Sequence, residues 1–312
     1  MKSSASRRPA INRLPTEQRN ASSLDLDIRS PLQIAQIINS EDAKVATAVR
    51  RALPQIARGI EMIADSLRQG GRLIYVGAGT SGRIAALDAA ECPPTFGVSP
   101  TTVQFVIAGG TRALSSAVEA NEDSRQLGQS EIARRKPGKA DVVVGIAASG
   151  RTPFTIAAVE YARRRGAKTI AVTCNQESEL ARVAYLAIVA EVGPEVISGS
   201  SRMKAGTAQK MVLNMLSTGA LARLGYVYDN LMVNVQTTNQ KLVARGISIL
   251  ERAANVTPDA ARRALKASGN NVAVALVMLK ASVTRKQAQS ALRAAHGNVR
   301  QAVVSAGGSR SV

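Results

Sequence analysis

Five short runs of β-branched and apolar residues recur through the middle of this chain, at Leu73–Val76, Val103–Ala108, Val142–Ala147, Thr169–Thr173 and Tyr185–Ala190. Each is nearly free of polar residues, the pattern of a strand buried on both faces. Helical periodicity fills the intervals, roughly Gly82–Ala90, Ala113–Leu127 and Pro153–Arg165. Parallel strands need long crossovers, so strand–helix alternation of this kind predicts an α/β, doubly wound five-stranded parallel sheet. Ligand sites in such sheets lie beyond the C-terminal ends of the strands.

The flanks have their own patterns. Residues 1–20 read as a flexible basic arm, although Leu14–Asn20 is more specific than a random tail. Ser30-Pro31 opens a helix, with proline suited to the first helical position. A long helical pattern follows from Ser40 to Gln69, with Val45, Val49, Ile56, Ile60, Ile63 and Leu67 along one side; Pro54 should bend or split it. After the fifth run comes a Gly/Ser-rich loop, 193–206, then helices over about Thr207–Leu224 and Asn234–Ala253. Near the end, Ala264-Leu-Lys-Ala267 with Val272 and Ala275 recurs as Ala291-Leu-Arg-Ala294 with Val299 and Ala302, at a constant offset of 27 residues. These are expected to be short helices of a small bundle that resembles ubiquitin-associated modules. The expected divisions are an arm at 1–20, a sheet domain bearing any ligand site at 21–240, a linking helix at 241–254 and a helical domain at 255–312.

Charge and composition narrow the function. The net charge is +19, but residues 241–312 hold twelve Lys and Arg against Glu251 and Asp259, and residues 1–20 hold five against Glu17. Basicity therefore sits at the ends, away from the glycine loops, and at 3% aromatic residues there is little to stack on bases. This distribution argues against a nucleic-acid site. No apolar run nears the roughly 18 residues of a membrane span, and no secretory signal is evident, so a cytoplasmic location is expected. Cys92 and Cys174 are too few for a disulfide framework, and no metal-ligand cluster stands out. No cofactor is expected.

Two loops carry the chemistry. Leu73-Ile-Tyr-Val runs into Gly77-Ala-Gly-Thr-Ser-Gly82, formally a G-x-G-x-x-G dinucleotide fingerprint. That reading requires an acidic residue about 20 residues on, for the ribose hydroxyls. Here the next strand ends Val106-Ile-Ala-Gly-Gly110 and supplies none. The second loop, Ala147-Ala-Ser-Gly-Arg-Thr-Pro153, also joins a strand to a helix start. Paired loops of this kind suit one compact phosphate, bound by Gly79, Thr80, Ser81, Ser149, Gly150 and Thr152 through hydroxyls and helix-terminal amides. The same hydroxyls would serve equally as helix caps, since both uses need one geometry.

The loop pair resembles the sugar isomerase (SIS) domain, whose phosphate-contacting hydroxyls map onto Ser81, Ser149 and Thr152; many members carry a serine where this chain has Ala147. Further blocks, Glu91-Cys-Pro-Pro-Thr95, Ile107-Ala-Gly-Gly110, Asn121-Glu-Asp-Ser124, Gly199-Ser-Ser-Arg-Met-Lys-Ala-Gly-Thr-Ala-Gln-Lys210 and the arm segment Thr16–Asn20, are similar to the N-acetylmuramic acid 6-phosphate etherase family. The resemblance spans about residues 16–240. It implies loss of D-lactate from a phosphorylated amino sugar by elimination and then water addition. It also implies Glu91 as proton donor and Glu122 as the second acid or base. Read from the residues alone, Glu91 ends a helix ahead of Pro93 and Pro94, where the helix dipole disfavours an anion. Glu122 sits with Glu119 and Asp123 on an acidic helix face. Ser200, Arg202 and Lys204 are candidate substrate contacts. A non-catalytic SIS phosphosugar sensor is the alternative, and it needs the loops but neither carboxylate. Spare apolar surface on the long helices 41–69 and 207–224 suggests a homodimer.

Overall fold

The computed structural model describes residues 15–116, 118, 121–237 and 239–307. Five strands, β1 (Leu73–Gly77), β2 (Val103–Ile107), β3 (Val142–Ile146), β4 (Lys168–Thr173) and β5 (Leu186–Val189), form one parallel sheet in the order β2-β1-β3-β4-β5. Leu73 aligns with Val103 on one side and Val142 on the other, so β1 and β3 end level with each other. The order reverses between β1 and β3, which opens a crevice at their C-terminal ends. The doubly wound parallel sheet read from the sequence is the observed fold.

Twelve α-helices are resolved among the described residues: α1 (Pro31–Arg51), α2 (Leu53–Arg68), α3 (Gly79–Phe96), α4 (Arg125–Arg134), α5 (Pro153–Arg164), α6 (Glu179–Val183), α7 (Lys204–Arg223), α8 (Gln240–Ala254), α9 (Pro258–Ala267), α10 (Val272–Ala281), α11 (Arg285–Ala294) and α12 (Val299–Ala306). Alternation along the strands divides the helices between the two faces. Ile74, Val76 and Val143 pack with Ile132 of α4 and Phe154, Ala158 and Ala162 of α5. On the opposite face, α2 meets α7 closely enough that a Cβ on Gly59 would lie 2.8 Å from Leu216. Tyr75, wholly buried, donates to Asp88 of α3 at 2.8 Å, and Asn214 of α7 donates to the same carboxylate at 2.6 Å.

Three helices depart from the sequence reading. α1 runs unbroken through Ser40 from the capping box of Ser30 and Gln33, and the chain breaks at Ala52, with Pro54 in the first turn of α2. α3 does not stop before Pro93 and Pro94 but contains both in its last turn. It ends at Gly97, whose N–H returns to the Pro93 carbonyl at 2.8 Å. The expected helix Ala113–Leu127 is absent as such. A 3-10 turn covers Gly110–Leu114, and α4 begins after Ser124, whose hydroxyl accepts from the Leu127 amide at 3.1 Å.

The chain divides into two compact units, residues 1–89 with 101–216 and residues 90–100 with 217–312. In the second unit, the repeat seen in the sequence is a pair of helical hairpins, α9–α10 and α11–α12. Thr257 and Thr284 cap one position, Asn271 and Asn298 the other. Ile249, Leu250 and Ala253 of α8 share their core, so α8 is built into the bundle rather than acting only as a link. No helix among the described residues is long and apolar enough to cross a membrane.

Candidate active site

A cavity of about 330 Å³ opens where β1 and β3 end. Its floor is the two glycine loops. β1 passes through Ala78 directly into α3, and Gly79 takes a left-handed φ of +51° to make that turn. The first-turn amides of α3 have no partner within the helix and carry its positive dipole end. Gly79, Thr80 and Ser81 line the cavity. From β3, Ala147, Ala148, Ser149 and Thr152 line the other side. Gly150 does not line it but shapes the loop: its φ is +66°, and a Cβ there would lie 2.2 Å from the Ser178 Cβ. Thr152 stands at the N-cap of α5 yet makes no side-chain capping bond. Its hydroxyl is thus not spent as a cap, which favours a ligand role. Ser149 Oγ accepts from the Arg151 amide at 3.3 Å, stiffening the turn.

Glu122 joins the two loops. Its carbonyl oxygen accepts from the Phe154 amide at 3.0 Å, in the first turn of α5. Its carboxylate reaches across to the other loop, where a Cβ on Gly79 would stand 2.9 Å from Oε1. Glu122 itself lies in a turn rather than in the expected helix. Glu119, placed beside it in the sequence reading, lies outside the described residues. Gly79→Ala is therefore expected to fail on two counts, a left-handed φ and a blocked carboxylate. It should lower turnover by ~10-fold or more, as displaced catalytic groups do, and lower thermal stability through the strained backbone; wild-type turnover would contradict this placement.

Other expected residues fall elsewhere. Glu91 is exposed, more than three helical turns beyond Gly79 on α3, and is not among the residues lining this cavity. Arg202 is exposed and outside the lining, and Ser201 rather than Ser200 lines it. Lys204 is 1% exposed, and its Nζ is bound to Glu41. Its ammonium is a structural group, not the substrate contact that its loop position suggested. Glu195, wholly buried, accepts from the Lys204 and Ala205 amides at 3.0 and 2.9 Å, clamping the start of α7.

The sequence reading did not assign Thr16, Glu17 or Arg83 to the site, yet all three line the cavity. Thr16 and Glu17 belong to the segment expected to be a flexible arm. In the structure, Ser198 Oγ donates to the Glu17 carbonyl at 3.0 Å, Gly199 N–H to the Thr16 carbonyl at 3.3 Å and Asn20 Nδ2 to the Pro194 carbonyl at 3.0 Å. Residues 15–20 are thus laid on the 193–203 loop; residues 1–14 lie outside the described part. Arg83 follows Gly79 at i+4, a spacing that puts both on one helix face.

Burial raises the pKa of Glu41, but hydrogen bonds from Lys204 and Lys44 outweigh it and hold the carboxyl at about 2. A depressed carboxyl pKa contributes stability above the ordinary range and loses it as pH falls through the folded value. The stability gap between wild type and Glu41→Gln should therefore shrink between about pH 4.5 and pH 2. Thermal melts across that range check it, and a constant gap would refute it. Cys174 is pushed up to about 12, chiefly by burial and then by Glu195, so its thiol stays protonated. Among the described residues no group of three or more His, Cys, Asp or Glu is placed to hold a metal.

Comparison with known proteins decides the family. Residues 55–163 match the glucokinase regulatory protein N-terminal SIS domain model, and residues 137–219 match the SIS domain model. The chain is 57% identical over 87% of its length to the N-acetylmuramic acid 6-phosphate etherase of Symbiobacterium thermophilum, covering 90% of that protein. This chain belongs to the N-acetylmuramic acid 6-phosphate etherase family. The proteins of that name from Clostridium beijerinckii and Klebsiella aerogenes are 48% and 50% identical, over 86% and 87% of this chain and 88% and 90% of theirs. Four of the etherase-like blocks of the sequence supply cavity-lining residues: Thr16 and Glu17, Ala108, Glu122, and Ser201.

Proposed function

We propose that this chain cleaves the D-lactyl ether of N-acetylmuramic acid 6-phosphate, a carbon–oxygen lyase reaction that leaves N-acetylglucosamine 6-phosphate and D-lactate. The observation that carries the reading is the Glu122 carboxylate, anchored at one phosphate-type loop and closed against the other. Phosphate bound by the α3 amides with Ser81, Ser149 and Thr152 fixes one end of an opened sugar. A carboxylate within hydrogen-bond reach can then exchange a proton with the sugar carbon next to the aldehyde. Loss of that C2 proton, expulsion of the 3-O-lactyl group and addition of water to the resulting alkene complete the balance. Neither a metal nor an organic cofactor enters the scheme.

Departure of the lactyl oxygen needs a proton, and the family correspondence gives that role to Glu91. Glu91 is exposed, which leaves it available to the cavity of a second copy. A homodimer is then part of the mechanism, each copy lending Glu91 to its partner. We place the reaction in the cytoplasm, in the recycling of cell-wall amino sugars. The SIS-domain sensor reading is disfavoured because a sensor has no use for either glutamate, and the closely similar relatives bear the name of an enzyme.

Incubation of purified protein with N-acetylmuramic acid 6-phosphate tests the activity. Stoichiometric D-lactate is expected. Binding of N-acetylglucosamine 6-phosphate without any turnover of the muramyl compound would mark a sensor instead.

A further inference from the structure

The proposed substrate has two anionic ends, and the glycine loops answer only one. Its lactyl carboxylate lies two bonds from the ether oxygen. A cation that holds it must lie close to C3, next to the C2 position whose proton is assigned to Glu122. Three charged residues line the cavity among the described residues: Glu17, Glu122 and Arg83. Arg83 is the only cation of the three, because Arg202 is outside the lining and Lys204 is committed to Glu41. It stands one turn of α3 beyond Gly79, the residue against which Glu122 closes. Its Nη2 donates to the Ser116 carbonyl at 2.9 Å, which fixes a half-buried guanidinium in place. A guanidinium has five N–H donors in a rigid fork suited to two carboxylate oxygens.

We infer that Arg83 binds the lactyl carboxylate and is the residue that distinguishes a 3-O-lactyl sugar phosphate from the sugar phosphate alone. Resting on the proposed etherase activity, this assigns one anion to each part of the cavity: phosphate to the helix-start amides and hydroxyls, carboxylate to the guanidinium. The carboxylate contact is made before the C3–O bond breaks and persists as lactate forms, so it orients the leaving group. The product sugar phosphate, lacking that contact, is held more weakly and released.

Calorimetry on the Glu122→Gln background, where turnover is expected to be slowed by about 10²- to 10⁴-fold, separates this from the alternatives. Dissociation constants are measured for N-acetylmuramic acid 6-phosphate and for N-acetylglucosamine 6-phosphate, with Arg83 retained and with Arg83→Gln or Arg83→Lys added. Loss of a charge-assisted pair should weaken the muramyl ligand by about 10- to 100-fold. The product ligand should change by no more than about twofold, within ordinary context effects, and Arg83→Lys should recover part of the loss. Equal weakening of both ligands would assign Arg83 to the phosphate or to the loop frame and overturn the inference, as would no change in either. Failure of the activity itself reads out separately, as absence of D-lactate with the wild-type protein.

Discussion

Glu122→Gln is expected to lower D-lactate release by about 10²- to 10⁴-fold, the usual worth of a positioned acid or base, without unfolding the protein. Glutamine keeps the size and the main-chain bond to Phe154, so only proton transfer is lost. Glu91→Gln should produce a loss of similar order while leaving binding of N-acetylglucosamine 6-phosphate intact. The two inactive variants are then expected to repair each other. If each cavity takes Glu122 from one copy and Glu91 from its partner, a mixed dimer has one complete site and one doubly defective site. Random reassortment makes half the dimers mixed, so co-expression should restore about a quarter of wild-type activity. No recovery from demonstrably mixed dimers would place both carboxylates in one chain's site. A concentration-independent monomer would remove the basis for sharing altogether.

Lys204→Met is expected to have the largest effect on stability. Lys204 and Glu41 are both almost wholly buried, and removing the lysine leaves a buried carboxylate with Asn20 and the exposed Lys44 as its remaining partners. Breaking a buried pair from one side costs about 3–5 kcal/mol. For a unit of this size that is a fall in melting temperature of roughly 10 °C. Glu41→Leu added to Lys204→Met should recover much of it, because no charge is then stranded. Were the double variant less stable than the single one, the Glu41 carboxylate would not be stranded by loss of Lys204 and this account of the loss would fail. The functional consequence follows from position. Glu41 and Glu195 together pin the start of α7, and the loop just before it carries Ser201 to the cavity.

The sheet was legible in the sequence because its signals are local. A strand buried on both faces has to be short and apolar, and a strand that enters a helix at a ligand site has to turn on glycine. Gly79 and Gly150 meet that need, each with a positive φ. Much of the cavity followed, since Ser81, Ser149 and Thr152 sit beside those glycines. What stayed hidden depends on partners far away in the chain. Thr16 and Glu17 gain their place from residues 198 and 199, more than 180 positions on, and no periodicity signals that. Lys204 reads as a surface base until Glu41 is found beside it.

Two misreadings came from trusting local rules too far. Proline ended α3 on paper, but Pro93 and Pro94 in the last turn remove one backbone donor each and the helix tolerates it. Helical periodicity suggested a helix through Glu122, yet the capping Ser124 starts α4 later. Arg83 had a readable signal, its i+4 relation to the first phosphate loop, and the second anion of the substrate gives that signal its meaning.

One measurement bears most directly on elimination at the two-loop cavity. N-acetylmuramic acid 6-phosphate is incubated with the wild-type protein in D2O, and both products are analysed by mass and NMR. Proton removal at C2 followed by water addition predicts D-lactate together with N-acetylglucosamine 6-phosphate that carries a solvent-derived deuteron at C2. Lactate release with C2 still fully protonated would contradict the elimination, and no lactate at all would contradict the proposed activity.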